Sequence, residues 1–251
     1  MDALMQAAMQ AGSILLMSGA ETYRVEETVV RIFEAYDVKE SNCFVLPTGI
    51  FSSFVYEGKN YSSVRRIKHR STDLHRIDAV NDLARSVVKD QISLEELQQR
   101  LDMINSERSY SDLTMILFAA ISAGFFALFF EGTLMDAVAA LVIGAIVKVL
   151  LIQLHKEEIT SFFVTALGGG LTAALAVLSV KLGIGNHVDT ISISVLMLMV
   201  PGLAITNAIR DTIAGDLTSG VSRAVEAVLI AVSLAVGAGT ALSLLKIWGV
   251  M

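Results

Sequence analysis

Beyond Ser111 the chain consists almost entirely of apolar runs, and this half dictates what the molecule can be. Crossing the hydrocarbon of a bilayer takes about 20 apolar residues in a helix. Leu113–Phe130, Leu134–Leu154, Ile159–Val180, Ile191–Ile209 and Val221–Leu245 meet or approach that length. Before Ser111 the apolar residues are spaced, and charged residues are frequent. The 251 residues are 54% hydrophobic and 18% charged, and the two classes separate along the chain. The expected fold class is therefore a small α+β cytoplasmic domain over residues 1–110, followed by an all-α polytopic membrane domain of about five transmembrane helices over 111–251.

In the first half, Met5, Ala8, Met9, Gly12 and Leu16 recur at helical spacing, and Gly19 punctuates that helix. A second stripe runs through Val25, Val29, Ile32, Phe33 and Tyr36. Phe44–Leu46, Ile50–Tyr56 and Tyr61–Ile67 read as three short strands, with turns at Pro47-Thr48-Gly49 and Glu57-Gly58-Lys59-Asn60. Helical period returns through Leu74, Ile77, Leu83 and Val87. Ser93 with Glu96 forms a capping box that opens a last helix. Two helices, a meander and two helices are enough for one core.

The fourth apolar run is broken by Pro201-Gly202 and then collects Thr206, Asn207, Arg210, Asp211, Asp216, Thr218, Ser219, Arg223 and Glu226. Such groups are expensive in hydrocarbon and mark transport or proton handling there. A helix interrupted by Pro and Gly also frees backbone groups to meet a substrate. Asn207 and Asp211, four apart, share a helix face, and Arg210 lies beside them. One reading is a polar cavity in which Arg210 or Arg223 meets a carboxylate and Asp211 or Asp216 carries a proton or meets an ammonium group. The other is a cytoplasmic loop whose charges neutralise each other.

Basic residues set the expected orientation. Arg108 precedes the first span, Lys156 follows the second, and Arg210 and Arg223 flank the fourth gap. The opposite loops hold Glu131-Gly132-Thr133 and Lys181, with Lys246 near the C-terminus. The positive-inside rule then puts the first domain in the cytoplasm and the C-terminus outside. Gly168-Gly169-Gly170, Gly124 and Gly144 suit close helix packing. Asp136 sits in the first turn of its span, where an acid favours the helix dipole, and Lys148 is placed to snorkel.

Other chemistries find little support. The net charge of -6 is spread along the chain, so no nucleic-acid partner is expected. One cysteine, Cys43, cannot form an intrachain disulfide or a cysteine-built zinc site. The N-terminus lacks the basic region of a signal peptide. No G-x-x-x-x-G-K-[ST] loop occurs. His69, His75, His155 and His187 are not spaced as metal ligands with acids, and His155 to Glu158 reads as a loop. Neither a metal nor another cofactor is expected. Arg65, Arg66, Lys68, His69 and Arg70 form a basic cluster that reads either as an anion or anionic-membrane site or as a solvated edge strand.

Four strings carry a likeness: GAETYRVEETVVRI from Gly19, PTGIFSS from Pro47, PGLAITNAIRDTIAGDLTSGVSRAVEA from Pro201, and RIKHRSTDLHRIDAVNDL from Arg66. Together they resemble the threonine/serine exporter family, whose N-terminal module also occurs in split, two-subunit exporters. The resemblance implies a secondary transporter subunit exporting small polar metabolites, threonine and serine or dicarboxylates such as succinate, rather than an enzyme. It implies as partners membrane lipid, a small polar substrate and a second small multispan subunit, with further copies of the chain also open. The broken polar segment itself offers the candidate pathway residues: Pro201, Gly202, Asn207, Arg210, Asp211, Asp216, Arg223 and Glu226. A hydrolase-like reading of the N-terminal domain would point to Glu21, Arg24, Glu26, Thr48 and Arg66 within the motif that also holds Pro47 and Gly49. A membrane-anchored enzyme and a regulatory subunit are the competing readings.

Overall fold

The computed structural model describes residues 1–107, 110–157 and 159–249. Arg108, Glu158 and the C-terminal Met251, on which parts of the orientation and loop assignments rest, lie outside the described residues. The chain gathers into two compact units. One joins Met1–Ser109 to Leu203–Ala224, and the other joins Tyr110–Gly202 to Val225–Met251.

The first unit opens with α1 (Asp2–Met17) and α2 (Thr22–Ala35). Then come β1 (Glu40–Leu46), β2 (Gly49–Tyr56) and β3 (Lys59–Arg66), followed by α3 (Leu74–Asp90) and α4 (Leu94–Ser106). Helix α1 is apolar nearly all round, and Leu4, Ala7, Ala8, Ala11, Leu15 and Leu16 are fully buried, so it serves as the central rod of the core. Helix α2 is amphipathic and turns Val25, Val29, Ile32 and Phe33 inward. Phe33 meets Phe54 at 4.9 Å between ring centroids, and Phe54 stacks on Tyr61 at 5.0 Å.

The sheet is antiparallel in the order β1-β2-β3. It is longer than the apolar runs predict. Strand β1 starts at Glu40 rather than Phe44, because Glu40, Ser41 and Asn42 pair with Val55, Phe54 and Ser53. Lys59 and Asn60 likewise join β3, and both turns shrink to two residues. Backbone pairing extends through polar positions that hydrophobic patterning cannot see. Asp73 caps α3 by accepting from the Arg76 N–H, and Ser93 caps α4 by accepting from the Glu96 N–H.

The second unit holds α5 (Asp112–Phe129), α6 (Leu134–Lys156), α7 (Ser161–Lys181) and α8 (Val188–Leu196). Helix α9 (Gly202–Ile213) and helix α10 (Leu217–Ile247) each contribute to both units. Among the described residues four helices, α5, α6, α7 and α10, are long and apolar enough to cross a membrane. The expected count of five is thus corrected. The expected span Ile191–Ile209 consists of α8 and α9, of 9 and 12 residues, with a break before Pro201. Helix α8 ends at Leu196 and a turn carries on to Met199; Pro201, which lacks an N–H and pushes Val200 out of the helical region, keeps α9 from continuing it. At 1.5 Å per residue neither piece reaches across a hydrocarbon core of ~30 Å.

Small residues close the second unit. Ala123, Ala127, Ala139, Ala140 and Ala176 are buried with Ile143, Val147, Ile191 and Val195. Gly237 on α10 lies so close to the Ala166 carbonyl of α7 that a Cβ there would overlap it. Asp136 does more than offset a dipole. Its buried carboxylate accepts from the Thr133 N–H and Oγ1, from the Asn186 and His187 backbone N–H groups, and from His187 Nδ1 at 2.9 Å. The Asp136 N–H in turn donates to Thr133 Oγ1, completing a capping box.

Candidate functional site

The turn between α1 and α2 is the floor of the site. Gly19 holds φ +90°, a conformation other residues rarely adopt, and a Cβ there would also stand 3.0 Å from the Ser71 carbonyl. The Ala20 N–H returns to the Leu15 carbonyl at 3.0 Å, closing α1. Glu21 is extended at the N-cap of α2 and makes no side-chain cap bond. The first N–H groups of α2 therefore need acceptors from elsewhere in the chain.

Helix α9 supplies one of them. Asn207 and Asp211 share the buried face of α9, with Asp211 fully enclosed. The Thr22 N–H donates to Asp211 Oδ1 at 3.1 Å, so a carboxylate nearly 190 positions away sits at the start of α2, where the helix dipole favours an anion. Thr22 Oγ1 donates to Asp216 Oδ2 at 3.2 Å. Asn207 Nδ2 donates to the Gly19 carbonyl at 2.8 Å, and Arg223 Nη2 to the Ala20 carbonyl at 2.7 Å. Arg210 Nη1 donates to Glu21 Oε1 at 2.6 Å, with the guanidinium half-exposed. Arg223 Nε stands 3.0 Å from Asp211 Oδ2, a buried ion contact whose angles fall outside hydrogen-bond alignment. The α9–α10 elbow closes on itself through the Asp216 N–H, which donates to the Asp211 carbonyl.

Charge balance at this spot is uneven. Burial pushes the Asp211 carboxyl up, and Arg223 and Thr22 only partly offset it. Burial also raises Glu26, although its Oε1 accepts the Val45 N–H at 2.7 Å; the negative charges of Asp216 and Asp211 add to the rise. At Glu21 burial pushes up as well, but backbone hydrogen bonding and Arg210 outweigh it, and the net direction is down. Adjoining Glu26, the Cys43 thiol is pushed up to about 12 by burial, so it is not a thiolate nucleophile at neutral pH. Among the described residues no group of three His, Cys, Asp or Glu side chains is placed to hold a metal.

Asn207, Arg210, Asp211, Asp216 and Arg223 thus meet Glu21 in one cluster, with Glu26 close enough to feel its charges. The two arginines carry intrachain carboxylate partners. Pro201 and Gly202 form the helix break, and both they and Glu226 belong to the second unit. Arg24 lies 3.5 Å from Glu21 Oε2 at the surface. Pro47 and Thr48 make the β1–β2 turn, where the Thr48 carbonyl accepts from the Ile67 N–H at 3.0 Å. Gly49 pairs across the sheet with the exposed Arg66. Sequence reasoning missed the central place of Thr22 and of the Gly19 and Ala20 carbonyls. A glycine just past a helix, followed by a threonine opening the next, was the available signal. It also left His187 isolated, whereas His187 pairs with Asp136.

Comparison with known proteins agrees along nearly the whole length. A family described as "Putative threonine/serine exporter" matches residues 6–245. The "Probable succinate transporter subunit YjjP" of Escherichia coli (strain K12) is 24% identical over 244 residues, covering 96% of this chain and 93% of that protein. The protein of the same name in Klebsiella aerogenes is 22% identical over 244 residues, covering 96% and 92%. No solved structure matches at a significant level. Matched from residue 6 to residue 245, and carrying four helices able to cross a bilayer, the chain belongs to the threonine/serine exporter family of membrane transporters.

Proposed function

We propose that the chain is one subunit of a secondary exporter in the cell membrane, with residues 1–110 in the cytoplasm and a small multispan membrane protein as its partner. The cargo is a small polar metabolite bearing a carboxylate: threonine or serine, or a dicarboxylate such as succinate. The chain itself catalyses no covalent reaction. The observation that carries this reading is the buried cluster of Asp211 and Arg223 with Thr22, fringed by the half-exposed Arg210–Glu21 pair.

The roles follow from exposure and charge. Arg210 is reachable from solvent, so a cargo carboxylate can replace Glu21 on its guanidinium. Asp211 is enclosed and shifted toward its protonated form by burial, which suits a group that takes and releases a coupling proton. Protonating Asp211 removes the partner charge of Arg223 and weakens the hold on the α1–α2 turn. Glu26 and Asp216 are the other acids facing this point, and Arg223 is the cation enclosed with them.

The test is efflux from cells expressing the chain with a candidate multispan partner, measured for threonine, serine and succinate. Arg210→Ala and Asp211→Asn are expected to abolish efflux while membrane abundance stays unchanged. Wild-type efflux in both variants would remove the assignment. The names of the relatives, both transporter subunits, support the two-chain arrangement.

A further inference from the structure

The outer face of the three-stranded sheet carries a feature to which the proposed transport role assigns no part. In an antiparallel sheet with one face on the core, the other is ordinarily polar. Here the register aligns Phe44, Phe51 and Val64 in one row across the three strands. Phe44 is 54% exposed, Phe51 42% and Val64 69%; Val55, four residues along β2 on the same face and paired with Glu40, is 42% exposed but stands beyond Ser53. The Phe44 and Phe51 rings lie 6.3 Å apart, forming a continuous surface. The next row on this face ends in the exposed Arg66, and the exposed Lys68 follows it along the chain. Glu40, the acid of this face, is at the far end, beyond the polar row Asn42, Ser53 and Ser62.

We propose that this face docks on the anionic surface of a lipid bilayer, with the Phe44–Phe51–Val64 row inserted among the headgroups and Arg66 and Lys68 on lipid phosphates. Charge decides the occupant. An apolar row edged by cations on one side is the arrangement that binds an anionic interface, through apolar burial and electrostatic attraction together. Area decides against a second copy of the chain. The three exposed apolar side chains of the row present roughly 300 Å², the size of a small functional surface patch. That is less than half of the ~800 Å² each partner buries in an ordinary protein interface. The same polypeptide also carries four membrane-capable helices, so the bilayer is held at high effective concentration. The inference does not depend on which metabolite is exported.

The test uses the full chain in vesicles. Trp248 is the one tryptophan, so Trp248→Phe gives a silent background, and Phe51→Trp places a reporter on the row. Val64→Trp is a second reporter on the same row should the first disturb folding. Vesicles are either pure phosphatidylcholine or three parts phosphatidylcholine to one part phosphatidylglycerol, each with and without phosphatidylcholine brominated on its acyl chains. The expected result is quenching by brominated lipid in the anionic vesicles, about twofold, that fades at high salt and in Arg66→Glu/Lys68→Glu. Absence of quenching at both positions in both vesicle types would overturn the proposal. So would quenching of equal size in neutral vesicles that the charge reversals leave unchanged. A reporter signal that follows the protein-to-lipid ratio rather than lipid charge would assign the face to a second copy, and would overturn it as well.

Discussion

Removing Arg223 strips the enclosed Asp211 carboxylate of its cation. In Arg223→Met the side-chain volume is nearly kept, but Asp211, with no exposed side-chain surface, retains Thr22 as its donor and loses its counter-charge. Breaking a buried pair by removing one partner costs about 3–5 kcal/mol. The Ala20 carbonyl also loses the Arg223 Nη2 bond at 2.7 Å, which sits within that range rather than beyond it. At 1.4 kcal/mol per power of ten, local opening of the α1–α2 turn becomes about two to three and a half powers of ten more frequent. Amide hydrogen exchange over residues 20–25 of the detergent-solubilised chain reads this directly, since the Thr22 N–H itself is one of the protected groups. Asp211→Leu alone should also be costly, because it removes the carboxylate facing Arg223 Nε and the acceptor of the Thr22 N–H. The double variant should cost less than the two singles summed, by about 2 kcal/mol or more. If Arg223→Met changes protection less than about threefold, or the two substitutions add to within ~0.5 kcal/mol, the pair is not a coupled unit and the reasoning fails.

Asp136→Ala should destabilise the second unit by about 3–5 kcal/mol, since it removes a capping box and leaves the Asn186 and His187 N–H groups without their acceptor; thermal unfolding followed by size-exclusion recovery would show it. His187, half-exposed beside that carboxylate, has its pKa raised by the hydrogen bond and charge of Asp136. A histidine with a raised folded-state pKa adds stability that is full below its unfolded value of about 6.5 and disappears as pH rises through the folded value. Protection of the Asn186 and His187 amides should therefore fall from mildly acidic toward alkaline pH in the wild type. A flat profile there, or the same slope in His187→Gln, would exclude His187 as the source. Gly237→Ala should lower stability by about 1–3 kcal/mol through overlap with the Ala166 carbonyl, whereas Gly239→Ala, with nothing within 4 Å of the added Cβ, should gain up to ~1 kcal/mol of helix propensity; parallel unfolding curves distinguish them.

The legible parts of the fold were those governed by periodicity. The four long helices, α1 and α2 appear in the spacing of their apolar residues, because burial of a stripe or a whole cylinder writes itself into composition. The extent of β1 was not legible, since Glu40, Ser41 and Asn42 contribute backbone bonds rather than side-chain burial. The break at Pro201 was visible, but its consequence, two helices too short to cross a bilayer, was absorbed into a fifth span because the chain stays apolar on both sides of the proline. At the site, Asn207, Arg210 and Asp211 announced themselves as polar groups in an apolar context. Their partners did not. The Gly19 and Ala20 carbonyls are backbone atoms that no side-chain pattern encodes, and Thr22 looks like any residue opening a helix. The Asp136–His187 pair joins positions 51 apart, and its chemistry exists only once the chain has folded.

The first unit is discontinuous in sequence, and this sets the order in which it can be made. Residues 1–109 leave the ribosome long before Leu203–Ala224, and α5, α6, α7 and α8 are synthesised in between. Until then α2 starts with the Thr22 N–H lacking Asp211, and the α1–α2 turn lacks Asn207 and Arg223. The N-terminal core can collapse early around α1, but its last polar contacts wait for three apolar helices to be inserted. Completion of the first unit thereby waits on synthesis of the whole intervening stretch: a chain stalled before residue 211 presents an unfinished α1–α2 turn to proteases, and the full-length chain does not.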